Sequence, residues 1–181
     1  MKCGIIGYPL NNPRSILIWK DYFLKKKIKA KMEPYEIHKK KFDTFIKKIK
    51  KDKAYYAFAI TMPYKISVIK HCDKLDTSAK LAKTVNLIVK NKETSEIVGF
   101  NTDVIGAYKS ISKNIDEYQD ITIIGLGGVG TCIYNYLNNL LPKILILSMV
   151  ALSPSSTTIL TWTLFLGLLI SSTSTLAPYL P

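Results

Sequence analysis

Six consecutive residues, Gly125-Leu126-Gly127-Gly128-Val129-Gly130, have the spacing of a phosphate-binding turn. In a G-x-G-x-x-G pattern one glycine makes the tight turn, another lets the backbone approach a pyrophosphate, and the third lets helix and strand pack closely. The neighbours suit that chemistry: Ile121-Thr122-Ile123-Ile124 predicts a short apolar strand before the turn, and Ile133, Tyr134 and Leu137 predict a helix after it. A helix beginning there offers unpaired amides and the positive end of its dipole to phosphate. A glycine-rich turn without a ligand is the other reading of the same residues. The second strand of the unit, Ile144-Leu145-Ile146-Leu147-Ser148-Met149, ends on Ser-Met. It carries neither the acid that would hold the ribose of NAD nor a base for the extra phosphate of NADP, so spacing leaves the cofactor open.

Other reactive side chains are sparse. Cys3, Cys72 and Cys132 are far apart and form no C-x-x-C pair, which argues against a disulfide framework or a zinc site and for a reducing, cytoplasmic compartment. In His71-Cys72-Asp73 adjacent side chains point in different directions on any regular element, so no metal is expected there. The formal net charge is +13, yet Arg14 is the only arginine. Nucleic-acid readers lean on the planar guanidinium fork, so a solvated lysine coat, with no nucleic acid as partner, is the expectation. A cationic module for anionic surfaces is the non-enzymatic alternative.

The elements that must position these residues alternate. Lys2 to Gly7 predicts a strand, Trp19, Tyr22 and Phe23 a helix, and Ile28, Ala30 and Met32 a second strand. Phe42, Phe45, Ile46 and Ile49 then recur at helical spacing, with Lys47, Lys48, Lys50 and Lys51 on the other faces. Ala54 to Thr61 predicts a buried strand that stops at Met62-Pro63. This alternation predicts an α/β fold with a mainly parallel sheet, followed from about Val104 by an incomplete Rossmann-like unit.

Four separated segments, Gly7-Tyr8-Pro9 with Ser15, Ile60-Thr61-Met62-Pro63-Tyr64-Lys65, Val85-Asn86 and Gly99-Phe100-Asn101-Thr102-Asp103, together resemble the shikimate dehydrogenase family. The glycine turn follows them in the family's order. The resemblance covers roughly residues 2 to 147. It implies a shikimate-binding catalytic domain over 1–103 and the first part of an NADP-binding domain over 104–147. It further implies Lys65 and Asp103 as the catalytic pair, Ser15, Thr61 and Asn86 as substrate ligands, and Gly125, Gly127, Gly128 and Gly130 as the cofactor turn. The implied reaction interconverts 3-dehydroshikimate and shikimate with NADP, NAD not being excluded; an NAD-using quinate or shikimate dehydrogenase is the neighbouring alternative. The chain departs from the family's usual pattern at Asn12-Pro13, Ala59, Trp19-Lys20 and Ala82-Lys83-Thr84, the last standing in place of I-G-A.

From Ile144 to Pro181 no charged residue occurs. The unbroken apolar run from Leu164 to Ile170 is far shorter than the ~18 to 20 residues that span a bilayer, so a membrane segment is not expected. The uncharged stretch over 148–181 lacks the charges that outer helices of a dinucleotide domain need. A change of reading frame near residues 138 to 149 is the expectation, with catalytic impairment following from it.

Overall fold

The structure, a computed structural model, describes residues 1–11, 13–112, 120–125, 128–141 and 145–149. They fall in one compact unit, Met1–Val150. Gly127 and the tail beyond 149 lie outside the described residues, and with them the sequence expectations for those positions.

The first 111 residues contain β1 (Lys2–Gly7), α1 (Ser15–Lys25), β2 (Lys31–Glu36), α2 (Lys39–Lys51), β3 (Tyr55–Ile60), β4 (Lys74–Leu75), α3 (Thr77–Ala82), β5 (Leu87–Lys90), β6 (Ile97–Phe100) and α4 (Thr102–Ile111). Their strands form one sheet in the order β2-β1-β3-β5-β6-β4. β1 runs parallel to β2 and β3, and β4 parallel to β6, whereas β5 is antiparallel to both its neighbours. The β5–β6 pair is antiparallel because a short loop joins the two strands, and in it the Asn91 side chain accepts from the amides of Glu93 and Thr94. A connection that short closes a hairpin and leaves no room for a crossover.

Amphipathicity sets the layers. α2 buries Phe42, Ile46 and Ile49 and turns its lysines to solvent. That face meets Ile6, Tyr55, Phe58, Ile60, Tyr64 and Val68 in the main core. The opposite face of the sheet packs Cys3 and Met32 against Ile16 and Phe23 of α1. Sequence periodicity starts β2 too early, at Ile28. The Lys27 amide bonds to Leu24 O and the Ile28 amide to Phe23 O, with Lys27 at φ 54°. This left-handed helix closure consumes the residues that alternation assigns to a strand.

Lys90, at the end of β5, is only 3% exposed. Its ammonium donates to Ile49 O at 2.8 Å and Asp52 O at 2.6 Å, capping the carboxyl end of α2 where unpaired carbonyls and the dipole favour a cation. Burial still holds its pKa below the ordinary lysine value.

The last described elements are β7 (Asp120–Ile124), α5 (Gly128–Leu140) and β8 (Leu145–Met149), with β7 and β8 parallel. This is a βαβ unit of the Rossmann-like kind, and α5 packs against α3 and α4. No described helix is long and apolar enough to cross a membrane.

Candidate functional site

The carboxyl ends of β1, β3 and β6 converge, and hydrogen bonds between their loops fix the arrangement. The Thr61 amide donates to Ile6 O at 2.9 Å, and the Tyr8 amide to Met62 O at 3.0 Å. Gly7 permits this approach: a Cβ there would lie 2.4 Å from the Thr61 methyl carbon. The Tyr8–Pro9 and Met62–Pro63 peptides, which follow β1 and β3, are both cis.

Asn86 knits the next layer. Its carbonyl accepts from the Ile60 amide at 2.8 Å and its own amide donates to Phe100 O at 3.0 Å, tying β3 to β6. Its side chain holds Thr102 by three contacts: Oδ1 accepts from the Thr102 amide at 2.8 Å and from Thr102 Oγ1 at 3.2 Å, and Nδ2 donates to Thr102 Oγ1 at 2.9 Å. Nδ2 carries a second hydrogen beyond that bond. The neighbouring Val85 amide donates to Lys65 O at 2.8 Å, fixing the backbone of the segment that carries the lysine.

These links bring Lys65 to Asp103, with Nζ donating to Oδ2 at 2.5 Å. The pair is partly sheltered, the two side chains being 25% and 38% exposed. Asp103 lies in the first turn of α4, but it is Asn101 that caps the helix, its side chain accepting from the Val104 amide. The carboxylate is therefore not spent on capping and faces the lysine. Thr61 lies four residues before Lys65, and among the described residues its hydroxyl has no hydrogen-bond partner. Ser15 is the first residue of α1 and has no hydrogen bond to the other four. The structure thus binds Lys65, Asp103 and Asn86 into one network with the Thr61 loop, while Ser15 stands outside it.

Gly125 has φ +93°, open to glycine and strained for other residues. A Cβ on Gly130 would come within 1.9 Å of Gly125 O, so the start of α5 sits directly on the turn. Gly128 begins that helix. These features fit the cradle of a dinucleotide pyrophosphate, with the first glycine turning the chain and the last allowing close helix packing.

The residues at His71-Cys72-Asp73 separate as the sequence implied. His71 Nε2 lies 2.8 Å from Asp43, Asp73 accepts from Lys50 at 2.5 Å, and Cys72 Sγ lies 3.6 Å from Val68 O. Burial, with the charge of Asp73, pushes the Cys72 thiol up to about 11, which keeps it neutral and unreactive near pH 7. Among the described residues no group of three His, Cys, Asp or Glu is placed to hold a metal ion.

Residues 5–88 match the family model of the shikimate dehydrogenase substrate binding domain. This stretch belongs to that family. The shikimate dehydrogenase (NADP(+)) of Caldivirga maquilingensis is 31% identical over 130 residues, which are 72% of this chain and 47% of the relative. The chain therefore spans about half the length of the curated shikimate dehydrogenases it matches. A chorismate mutase/shikimate 5-dehydrogenase fusion protein from Clostridium acetobutylicum superposes with a TM-score of 0.70 at 28% identity, covering 82% of this chain and 54% of that one. The shikimate 5-dehydrogenase of Thermus thermophilus, solved with NADP(H) and shikimate, superposes with a TM-score of 0.69 at 16% identity, over 83% of this chain and 56% of that one. At that identity the likeness is one of fold. The shikimate dehydrogenase frame accounts for the mixed α/β sheet and for the βαβ unit that follows it.

Sequence reasoning missed the structural partners of the site. Thr102 serves Asn86, Asn101 caps α4, and Lys90 secures α2. Asn101, a residue type that favours N-caps, is a signal that could have found the start of α4, but the partners of Asn86 and Lys90 depend on strand pairing that no local pattern encodes.

Proposed function

We propose that this chain comprises the substrate-binding part and the opening of the dinucleotide-binding part of an NADP-dependent shikimate dehydrogenase, with the division near residue 103. The reaction is the interconversion of 3-dehydroshikimate and shikimate. The observation that carries this reading is the 2.5 Å contact between Lys65 and Asp103, made across 38 residues of sequence and set beside Thr61 and Asn86. The similarity to the Caldivirga shikimate dehydrogenase (NADP(+)) and to the Clostridium shikimate 5-dehydrogenase fusion supports it.

When bound, the nicotinamide cofactor supplies the hydride, and Gly125, Gly128 and Gly130 would hold its pyrophosphate, Gly127 of the same motif lying outside the described residues. The rest is done by side chains. Reduction of a ketone builds negative charge on oxygen, which needs a proton as it forms. Lys65 holds that proton at Nζ and releases it to the reacting oxygen, while Asp103 keeps the ammonium aimed. In the opposite direction Lys65 receives the hydroxyl proton. Thr61 and Ser15 offer hydroxyls, and Asn86 its second amide hydrogen, to a polyhydroxylated, carboxylated ring.

Titration of shikimate into the full chain is the test. Saturable binding is expected, weakened about tenfold in Thr61→Val, which removes a hydrogen-bonding group. Lys65→Met should keep binding within a few-fold while NADPH oxidation with 3-dehydroshikimate falls by about 10²- to 10⁴-fold. NADPH should be oxidised faster than NADH. Absence of saturable shikimate binding would overturn the assignment.

A further inference from the structure

Asn101 stands two residues before Asp103 and is 1% exposed. Its Oδ1 accepts from the Val104 amide at 3.2 Å and so closes the first turn of α4. Its Nδ2 donates to two atoms of one residue, Thr84 O at 3.2 Å and Thr84 Oγ1 at 2.7 Å. Thr84 Oγ1 in turn lies 2.9 Å from Cys132 Sγ, on α5. Oγ1 has one hydrogen and two lone pairs, so beside the bond from Asn101 it can either donate to the sulfur or accept from the thiol.

A continuous polar path therefore runs from the helix that follows the glycine turn, through Thr84, to the helix that carries Asp103. Its end at Cys132 is buried in an apolar cluster with Ala82 and Val104, against which Ile105, Ile133 and Tyr136 pack. In such surroundings a satisfied hydrogen bond holds geometry firmly, and an unpaired group is costly.

We infer that Thr84 is a positioning residue that couples α5 and its glycine turn to the placement of Asp103 opposite Lys65. Its meaning for catalysis rests on the function proposed above, whereas the coupling itself does not. Thr84 stands where the shikimate dehydrogenase pattern usually has alanine, whose side chain has no oxygen to relay the bond, so the path belongs to this chain rather than to the pattern.

Amide hydrogen exchange on the full chain and on Thr84→Val, Thr84→Ser and Cys132→Ala tests the inference, read at Val104 with Ile6 of β1 as reference. Thr84→Val keeps the shape and removes the hydroxyl, so exchange at Val104 should accelerate about tenfold. It should accelerate about threefold in Cys132→Ala and stay within about twofold in Thr84→Ser, with Ile6 unchanged throughout. Unchanged exchange at Val104 in Thr84→Val and Cys132→Ala, or equal acceleration at Ile6, overturns the coupling. Shikimate titration of the same proteins forms the second arm. Affinity should weaken in Thr84→Val and return in Thr84→Ser; unaltered affinity in Thr84→Val overturns the positioning role. A wild-type chain that binds no shikimate defeats the proposed function, and the exchange data still decide the coupling.

Discussion

Phe58 in β3 and Ile124 in β7 are both large apolar residues of parallel-paired strands, yet the first is 1% exposed and the second 75%. β3 is held between two other strands and covered by α2, and its side chains join a core that includes Phe42, Ile46 and Ile49. β7 pairs with β8, and no residue of β7 is fully buried. Parallel strands depend on helices over both faces. Among the described residues, β7 and β8 have α5, which in turn leans on α3 and α4. The difference teaches that stability resides in the first sheet, and that the βαβ unit is carried by its contact with the helices of that sheet.

The hardest test of the contrast is a pair of truncations. Phe58→Ala should cost about 3–5 kcal/mol in urea unfolding, whereas Ile124→Ala should stay within about 0.5 kcal/mol. Equal losses would break the comparison. Next in size is Gly130→Ala, whose new Cβ would collide with Gly125 O. The α5 turn should lose about 1–3 kcal/mol, measured as local amide protection, with the first sheet unaffected.

Lys83, which ends α3 at the join between the regions, has φ 56°, in the left-handed region. Lys83→Gly should raise the unfolding free energy by about 0.5–1 kcal/mol, relief of strain exceeding the added freedom of the unfolded chain.

The smallest effect is acid sensitivity. Hydrogen bonds from Lys70 and His71 hold Asp43 below its ordinary pKa of 3.8, those from Lys50 and the Ile97 amide do so for Asp73, and those from Ser78 for Asp76. The folded chain then binds fewer protons than the unfolded chain in this range. The stabilisation is complete above 3.8 and is lost as pH falls through the lowered values. All three carboxylates lie in the first region, so melting temperatures recorded between about pH 2 and pH 6 should drop less steeply in Asp73→Asn.

Much of this was legible in the residues. The strand at Lys2–Gly7, the basic helix and the strand–turn–helix around Gly125 follow from patterns that repeat within one element. The antiparallel insertion of β5 was not, because the sequence expectation weighed alternation of element types and not the length of the 91–96 loop. Lys65 and Asp103 were named through their motifs, and their contact depends on neighbouring residues of one segment, Val85 holding the backbone of Lys65 and Asn86 that of Thr102. Lys90 gave no sign, being a lysine among many, and Thr84 showed only as a departure from the family's I-G-A, its partners Asn101 and Cys132 lying far away in sequence.

Lys90 gives the molecule a built-in timekeeper. Among the described residues it is the only buried charged side chain, while neighbours such as Lys92 face solvent. An amine-acylating reagent tags the outer lysines at once and reaches Lys90 only after the end of α2 lifts from β5. The lag between the two labels, read by mass spectrometry, measures how often the fold opens.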